Sequence, residues 1–286
     1  MLKWKIGDVT VSRVVEIEVD IPAGGPHSLL PDSSADALRA IEWLSPHFIN
    51  GNGEMKLSIH ALLVEVHGQR LIVDTCIGND KPRTNALMNK LNLPFLRDLE
   101  AAGWPRDSVD TVVCTHLHVD HVGWNTMLEG GKWVPTFPNA KYLIGRKEFA
   151  HWQATGEPLG DGPVLEDSVQ PIIDAGLATL VEMDHRICDE IYLRPTTGHT
   201  PGHVSVVIES RGEKALITGD CIHHPSQMAR PDWSSSFDSD PVASRRTRWD
   251  LFADLAEQPV LVIGTHFAAP TAGYVRRDGD AYRLDC

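Results

Sequence analysis

Between Thr115 and His121 the chain reads Thr-His-Leu-His-Val-Asp-His, which puts His116, His118, Asp120 and His121 within one short stretch. Imidazole nitrogen and carboxylate oxygen suit zinc, and also iron, cobalt or manganese, with no thiolate required. A lone histidine near a core is more often a hydrogen-bonded structural residue, and that reading serves for most of the 14 histidines here. It strains at this stretch. Crowded imidazoles repel when charged, and buried polar groups need partners. A bound cation resolves the crowding.

Three later positions follow the same grammar of an apolar run with a candidate ligand at its end. His199 follows the run at 190–195, Asp220 follows Leu216-Ile217-Thr218-Gly219, and His266 follows Val260-Leu261-Val262-Ile263-Gly264-Thr265. The first cluster itself follows Thr111-Val112-Val113-Cys114, a β-branched run that predicts a short buried strand. Strand ends on one sheet edge can converge on a cleft, the usual place for functional groups. Each later residue is a weak signal alone; the repetition is what makes the set specific.

The elements that must carry these residues are readable in outline. Strands are expected at 8–19, 57–66, 70–74, 141–144, 178–182, 190–195, 203–209, 214–218 and 260–264, with a hairpin turn at His67-Gly68-Gln69. Helices are expected at 84–102, with a kink or break at Pro94, and near 146–154, 166–175 and 242–257. Residues 21–56, broken by Pro22, Gly24, Gly25, Pro26, Pro31 and Pro46, read as a long surface loop with a short helix around 34–44. Its Trp43 and Phe48 are expected to pack beneath the loop. Strands in runs followed by alternating helices suggest two sheets covered by helices. Neither a repeat nor a linker divides the 286 residues, so one domain, 1–286, with an extended loop at 21–56, is expected.

Composition narrows the partners. A net charge of −13 argues against nucleic acid, whose phosphates are held by Lys and Arg. Neither an apolar leader at the start nor a membrane-length apolar run is expected. Five cysteines, scattered and never spaced Cys-x-x-Cys, form no disulfide framework; buried reduced thiols and a cytoplasmic location are the default expectation.

The motif His-x-His-x-Asp-His at 116–121, with the separated His199, Asp220 and His266 in order, resembles the metallo-β-lactamase superfamily from roughly residue 57 to 272. The resemblance implies an α/β fold, an αββα sandwich of two mixed sheets with helices outside. It implies that His116, His118 and His199 hold one metal ion, that Asp120, His121 and His266 hold a second, and that Asp220 bridges them. Asp74, in Asp74-Thr75-Cys76, resembles the family's Asp-Thr-Gly and is expected to support the ligands from behind; Cys76 stands where the family has Gly. Two divalent ions, zinc foremost, with Mn, Co or Fe as alternatives, sit ~3.5–4 Å apart in such sites and activate a water for hydrolysis. Related di-iron proteins that reduce oxygen carry Glu at the second His of the motif; His118 stands there, which ranks that chemistry low.

Within the superfamily, Gly219-Asp220-Cys221-Ile222-His223 and Phe237-Asp238-Ser239-Asp240-Pro241, leading into Arg245, Arg246 and Arg248, resemble the lactonase and methyl-parathion-hydrolase-like branch. This implies a small uncharged lactone or carboxylic ester as substrate, with a phosphotriester as the alternative. A thioesterase or a non-catalytic metal scaffold ranks lower. Lactonases of this group commonly have Tyr three residues after the bridging Asp; His223 stands there, and imidazole can donate to a carbonyl oxygen or carry a proton. Its role as a loop residue is an equal alternative. Asp120 competes for the proton-donating role. His224 is expected to be structural, as is Cys221. Trp124 and Phe267 are candidates for an apolar pocket wall, with Trp233 and Phe237 more remote. Pairing into a homodimer, with 21–56 as the contact, follows only by analogy.

Overall fold

The computed structural model describes residues 1–156 and 162–286. In chain order the strands begin with β1 (Lys3–Ile6), β2 (Val9–Ile21), β3 (Met55–Val66), β4 (Gln69–Val73), β5 (Thr111–Cys114), β6 (Thr126–Glu129) and β7 (Lys132–Pro135). They continue with β8 (Lys141–Gly145), β9 (Ala178–Val181), β10 (Ile191–Pro195), β11 (Val204–Ser210), β12 (Glu213–Ile217), β13 (Val260–Ile263), β14 (Ala272–Asp278) and β15 (Ala281–Asp285). The helices are α1 (Ala35–Arg39), α2 (Phe95–Ala101), α3 (Val119–Val122), α4 (Arg146–Thr155), α5 (Gln170–Asp174), α6 (Ser226–Ala229) and α7 (Pro241–Leu255). No helix among the described residues is long and apolar enough to cross a membrane. The chain divides into two compact units.

The first unit comprises Met1–Glu16 and Ile59–Met183. Its sheet has the order β1-β2-β3-β4-β5-β8-β9, with β2 and β3 continuing past the division. The strands β4, β5, β8 and β9 run parallel to one another, while β3 pairs antiparallel with β4. Parallel strands buried on both faces read as continuous apolar runs, and Val112 and Val113 of β5 are fully buried. The β3–β4 hairpin closes with Val66 opposite Gln69, leaving His67 and Gly68 as a two-residue turn. Both have positive φ, 50° and 78°, as the tightest hairpin turns require.

The expected helix at 84–102 is shorter in the structure. Only Phe95–Ala101 is helical, and Pro94 stands at its N-terminus. The residues before it are held by other means. Asn79 exchanges bonds with Leu93, and Lys81 and Arg83 carry their charges inward to Asp167. Within 84–94 the chain turns back on itself, with Asn89 Oδ1 accepting the Arg83 N–H and Lys81 O accepting the Lys90 N–H. The expected helix at 166–175 is a π turn over Leu165–Val169 continuing into α5.

The second unit comprises Ile17–Ser58 and Asp184–Cys286. Its sheet has the order β10-β11-β12-β13-β14-β15, mixed because only β12 and β13 pair in parallel. Residues 21–56 do not merely cross the surface. Leu29, Leu30, Leu38, Ile41, Leu44, Phe48 and Ile49 join α7, β12 and β13 residues in one apolar core. Ser34 caps α1 by accepting the Ala37 N–H, which starts the helix where the pattern predicts it. Phe48 is 1% exposed, and truncating a phenyl ring so placed costs about 3–5 kcal/mol.

Candidate metal centre

In the first unit β4 and β5 lie side by side and parallel, so Asp74 and Thr115 emerge together at their ends. Asp74 accepts the Thr115 N–H at 2.8 Å, the Thr115 hydroxyl at 2.8 Å, and His121 Nδ1 at 2.9 Å. A carboxylate only accepts, so His121 carries its proton on Nδ1. The Thr115 hydroxyl, having given its proton to Asp74, accepts from His116 Nδ1 at 3.1 Å. Both imidazoles therefore present an Nε2 lone pair. His121 Nε2 lies 3.6 Å from Asp120 Oδ1. The rings are packed together, with centroids 4.0 Å apart for His116 and His121 and 4.6 Å for His116 and His118.

A backbone ladder fixes the motif from behind. Thr75 N–H bonds His121 O, Gly123 N–H bonds Cys76 O, and Trp124 N–H bonds Thr75 O, all at 2.7–2.8 Å. This approach requires Gly123, because a Cβ there would sit 1.7 Å from Ile77 O. Cys76, at the family's Gly position, keeps the left-handed backbone that Gly would favour, with φ 53°. Glu16 ties the two segments once more, accepting from Ile77 N, Gly78 N and Trp124 Nε1 at 2.8, 3.0 and 2.6 Å. Burial pushes this carboxyl up to about 7 against the pull of those three donors.

In the second unit the strand directions explain the repeated grammar. β10 and β12 are both antiparallel to β11, and β13 is parallel to β12. The three therefore run the same way, and the residues after them, His199, Asp220 and His266, gather at one edge. Asp220 Oδ2 lies 3.5 Å from His199 Nε2 and 3.3 Å from His223 Nε2; Asp220 Oδ1 is 3.1 Å from His266 Nε2. His199 Nδ1 is 3.1 Å from Asp238 Oδ1 and His266 Nδ1 is 3.3 Å from the Ser58 carbonyl. Both partners accept only, so both rings carry the proton on Nδ1 and present a lone pair at Nε2. Burial pushes the Asp238 carboxyl up, but the hydrogen bond from His199 and the Arg248 guanidinium help bring it down to about 2.

A cation fits each of these arrangements. Nε2 lone pairs face carboxylate oxygens at 3.6 Å for His121 and Asp120 and at 3.5 Å for His199 and Asp220. Two acceptors so placed in buried surroundings repel unless positive charge lies between them. Protons on every Nε2 would instead gather buried positive rings within van der Waals reach of one another. The donor set of imidazole and carboxylate suits a divalent metal.

The other expected residues fall as follows. Trp124 is buried, stacked on Phe95 with centroids 5.7 Å apart and its N–H bonded to Glu16. Phe267 is fully buried, edge-on to Phe48. Both packings are those of core side chains. Phe237 is 38% exposed and Trp233 half-buried. His223 is 2% exposed, its ring parallel to His266 and 4.7 Å from His199, and burial lowers its pKa. His224 is structural. Its Nε2 donates to Phe48 O and its Nδ1 accepts from Ser226, while burial takes its pKa down to about 4. Cys221 is a buried thiol donating to Thr218 O, and burial pushes it up to about 12. Sequence reasoning gave no role to Glu16, Asp238 or Arg248. Asp238 and Arg248 lie in a stretch singled out for its resemblance, and Glu16 carries no local signal beyond an acid in an apolar strand.

The metallo-beta-lactamase superfamily model matches residues 56–266. An N-acyl homoserine lactonase of Bacillus sp is 23% identical over 223 residues, covering 73% of this chain and 82% of that protein. Among solved structures, a hydrolase AbOPH in the beta lactamase superfamily has a TM-score of 0.80 at 25% identity, covering 100% of this chain and 97% of that one. AidC, a dizinc quorum-quenching lactonase solved with a product, has a TM-score of 0.78 at 20% identity, covering 99% and 95%. The chain belongs to the metallo-beta-lactamase superfamily, with that superfamily's fold, and is a metal-dependent hydrolase.

Proposed function

We propose that the chain opens lactones, or hydrolyses carboxylic esters of similar polarity, with two divalent ions, zinc foremost. His116, His118 and His199 would hold one ion, Asp120, His121 and His266 the other, with Asp220 as the ligand common to both. The observation that carries this reading is the facing of imidazole lone pairs and carboxylate oxygens within each unit, His121 on Asp120 and His199 on Asp220. Bound ions supply a water acidified to act near neutral pH and a positive charge for the carbonyl oxygen.

The chain's own groups do the rest. Asp74 and Asp238 hold the His121 and His199 rings in the tautomer that ligates. His223, beside Asp220, is the candidate to donate a hydrogen bond to the carbonyl oxygen or to the departing alkoxide; Asp120 is the alternative donor. A lactone is favoured as substrate because relatives of this chain are named N-acyl homoserine lactonases. The net charge of −13 supports an uncharged substrate over a polyanion. The free cysteines support a reducing compartment, the cytoplasm.

The test is a panel of lactones, aryl esters, thioesters, phosphotriesters, phosphodiesters and β-lactams, assayed with one metal-loaded preparation. Lactone or aryl-ester kcat/KM is expected to exceed the phosphodiester and β-lactam values. A tenfold preference for either of those two would overturn the reading.

A further inference from the structure

The start of α7 and the loop before it grip His199 at backbone and ring alike. Ser239 N–H bonds His199 O at 2.8 Å, and Asp240 N–H bonds Gly198 O at 2.9 Å. Thr247 of α7 donates its hydroxyl to Thr197 O at 2.6 Å. Gly198 is pressed on the helix so closely that a Cβ would sit 2.2 Å from Ser244 N. The ring itself is held by Asp238 Oδ1, and the other oxygen, Oδ2, takes the Ser235 N–H at 3.0 Å.

Behind Asp238 stands Arg248, fully buried on α7. Its NH1 is 3.5 Å from Asp238 Oδ2 and 2.6 Å from Ser244 Oγ; its Nε and NH2 donate to Pro231 O and Ser234 Oγ. A buried arginine this fully engaged is a fixed positive charge. It balances the Asp238 carboxylate, which in turn has one partner left to orient, the His199 N–H. His199, His223 and Asp238 also lie close enough to share an ion among themselves. The guanidinium and the Ser235 N–H already on Asp238 weigh against its being a ligand.

We propose that Asp238, backed by Arg248, is the positioning residue of His199, setting the direction and basicity of its Nε2 and hence how tightly the ion it ligates is bound. This rests on the metal-centre reading above. Outer partners of ligating histidines change metal affinity by about 10–100-fold when removed.

The experiment measures Zn2+ binding by competition with a chromophoric chelator, without substrate, together with the Tm of the metal-stripped protein. Asp238→Asn is expected to weaken binding of one ion about 10–100-fold, leave the other within about threefold, and leave the stripped Tm within a few degrees of the parent. Thr247→Val, which removes only the bond from α7 to Thr197, is the second variant, expected to weaken the same ion by about threefold or more. Parent-like affinity in both folded variants overturns the proposal, as does a fall in stripped Tm with affinity unchanged. Complete loss of both ions in Asp238→Asn, with the stripped Tm unchanged, overturns it too, because Asp238 would then be holding metal itself. A parent that binds no Zn2+ overturns the metal-centre reading instead.

Discussion

Asp74 Oδ2 lies 2.9 Å from His121 Nδ1, and the same carboxylate holds the Thr115 N–H and hydroxyl, so one buried acid aligns the start and the end of the motif. Asp74→Ala would free the His121 ring and strand the Thr115 N–H in a buried site. Zinc affinity is expected to fall about 10–100-fold, with a stability loss of about 1–3 kcal/mol from the stranded donor. Chelator competition and urea unfolding check the two separately; parent-like affinity contradicts the alignment.

His118→Ala and Asp220→Asn should each abolish most turnover, by at least about a hundredfold, while the chain still folds. The folded state is checked by circular dichroism and the rate with the best substrate of the panel. Near-parental turnover in either folded variant contradicts its place among the ligands.

What the sequence disclosed was local. An apolar β-branched run ending in His or Asp can be read residue by residue, and the directions of β5, β10, β12 and β13 explain why the pattern recurs. What it concealed acts through space. Glu16 and Asp238 meet their partners 108 and 39 residues away in the chain, Trp124 and His199, so no spacing announces them. The helix expected over 84–102 failed over its first half, where turns are tied instead by Arg83 N–H to Asn89, Lys90 N–H to Lys81 O and Leu93 N–H to Asn79, just after a buried ion cluster of Lys81, Arg83 and Asp167. The hairpins β6–β7 and β14–β15 went unread although Gly130-Gly131 and Gly279-Asp280 form their turns.

That ion cluster carries a pH signature. Lys81 Nζ is fully buried between Thr126 Oγ1 at 2.5 Å, Asp167 O at 2.9 Å and the Trp133 ring face at 3.7 Å, while Arg83 takes the Asp167 carboxylate. Burial, with Arg83 beside it, pushes the Lys81 amine down from 10.5 to about 7. Between those values the unfolded chain holds one more proton than the folded one, so raising the pH favours folding. Below about 7 both states are protonated and the burial penalty is fully present. Parent stability relative to Lys81→Met is expected to rise from pH 7 to 10 by up to about 1.4 kcal/mol per pH unit. Urea unfolding of both proteins at pH 7, 8 and 9 measures this; a flat difference contradicts it.

His223 is tested by leaving-group dependence. A lactone alkoxide leaves poorly without a hydrogen-bond donor, whereas a nitrophenolate needs none. His223→Phe should slow alkyl lactones about 10²–10⁴-fold more than nitrophenyl esters at matched metal content. An equal fall for both assigns His223 to pocket shape, and no fall leaves it a structural residue.

The most direct test follows lactone hydrolysis as a function of bound metal. The purified protein is stripped with chelator, reloaded stepwise with Zn2+, and assayed by pH-stat against an N-acyl homoserine lactone while bound zinc is counted by elemental analysis. The rate is expected to vanish on stripping, to return with reloading, and to saturate at about two ions per chain. A rate that survives stripping, or that is complete at one ion, would contradict the dinuclear hydrolase.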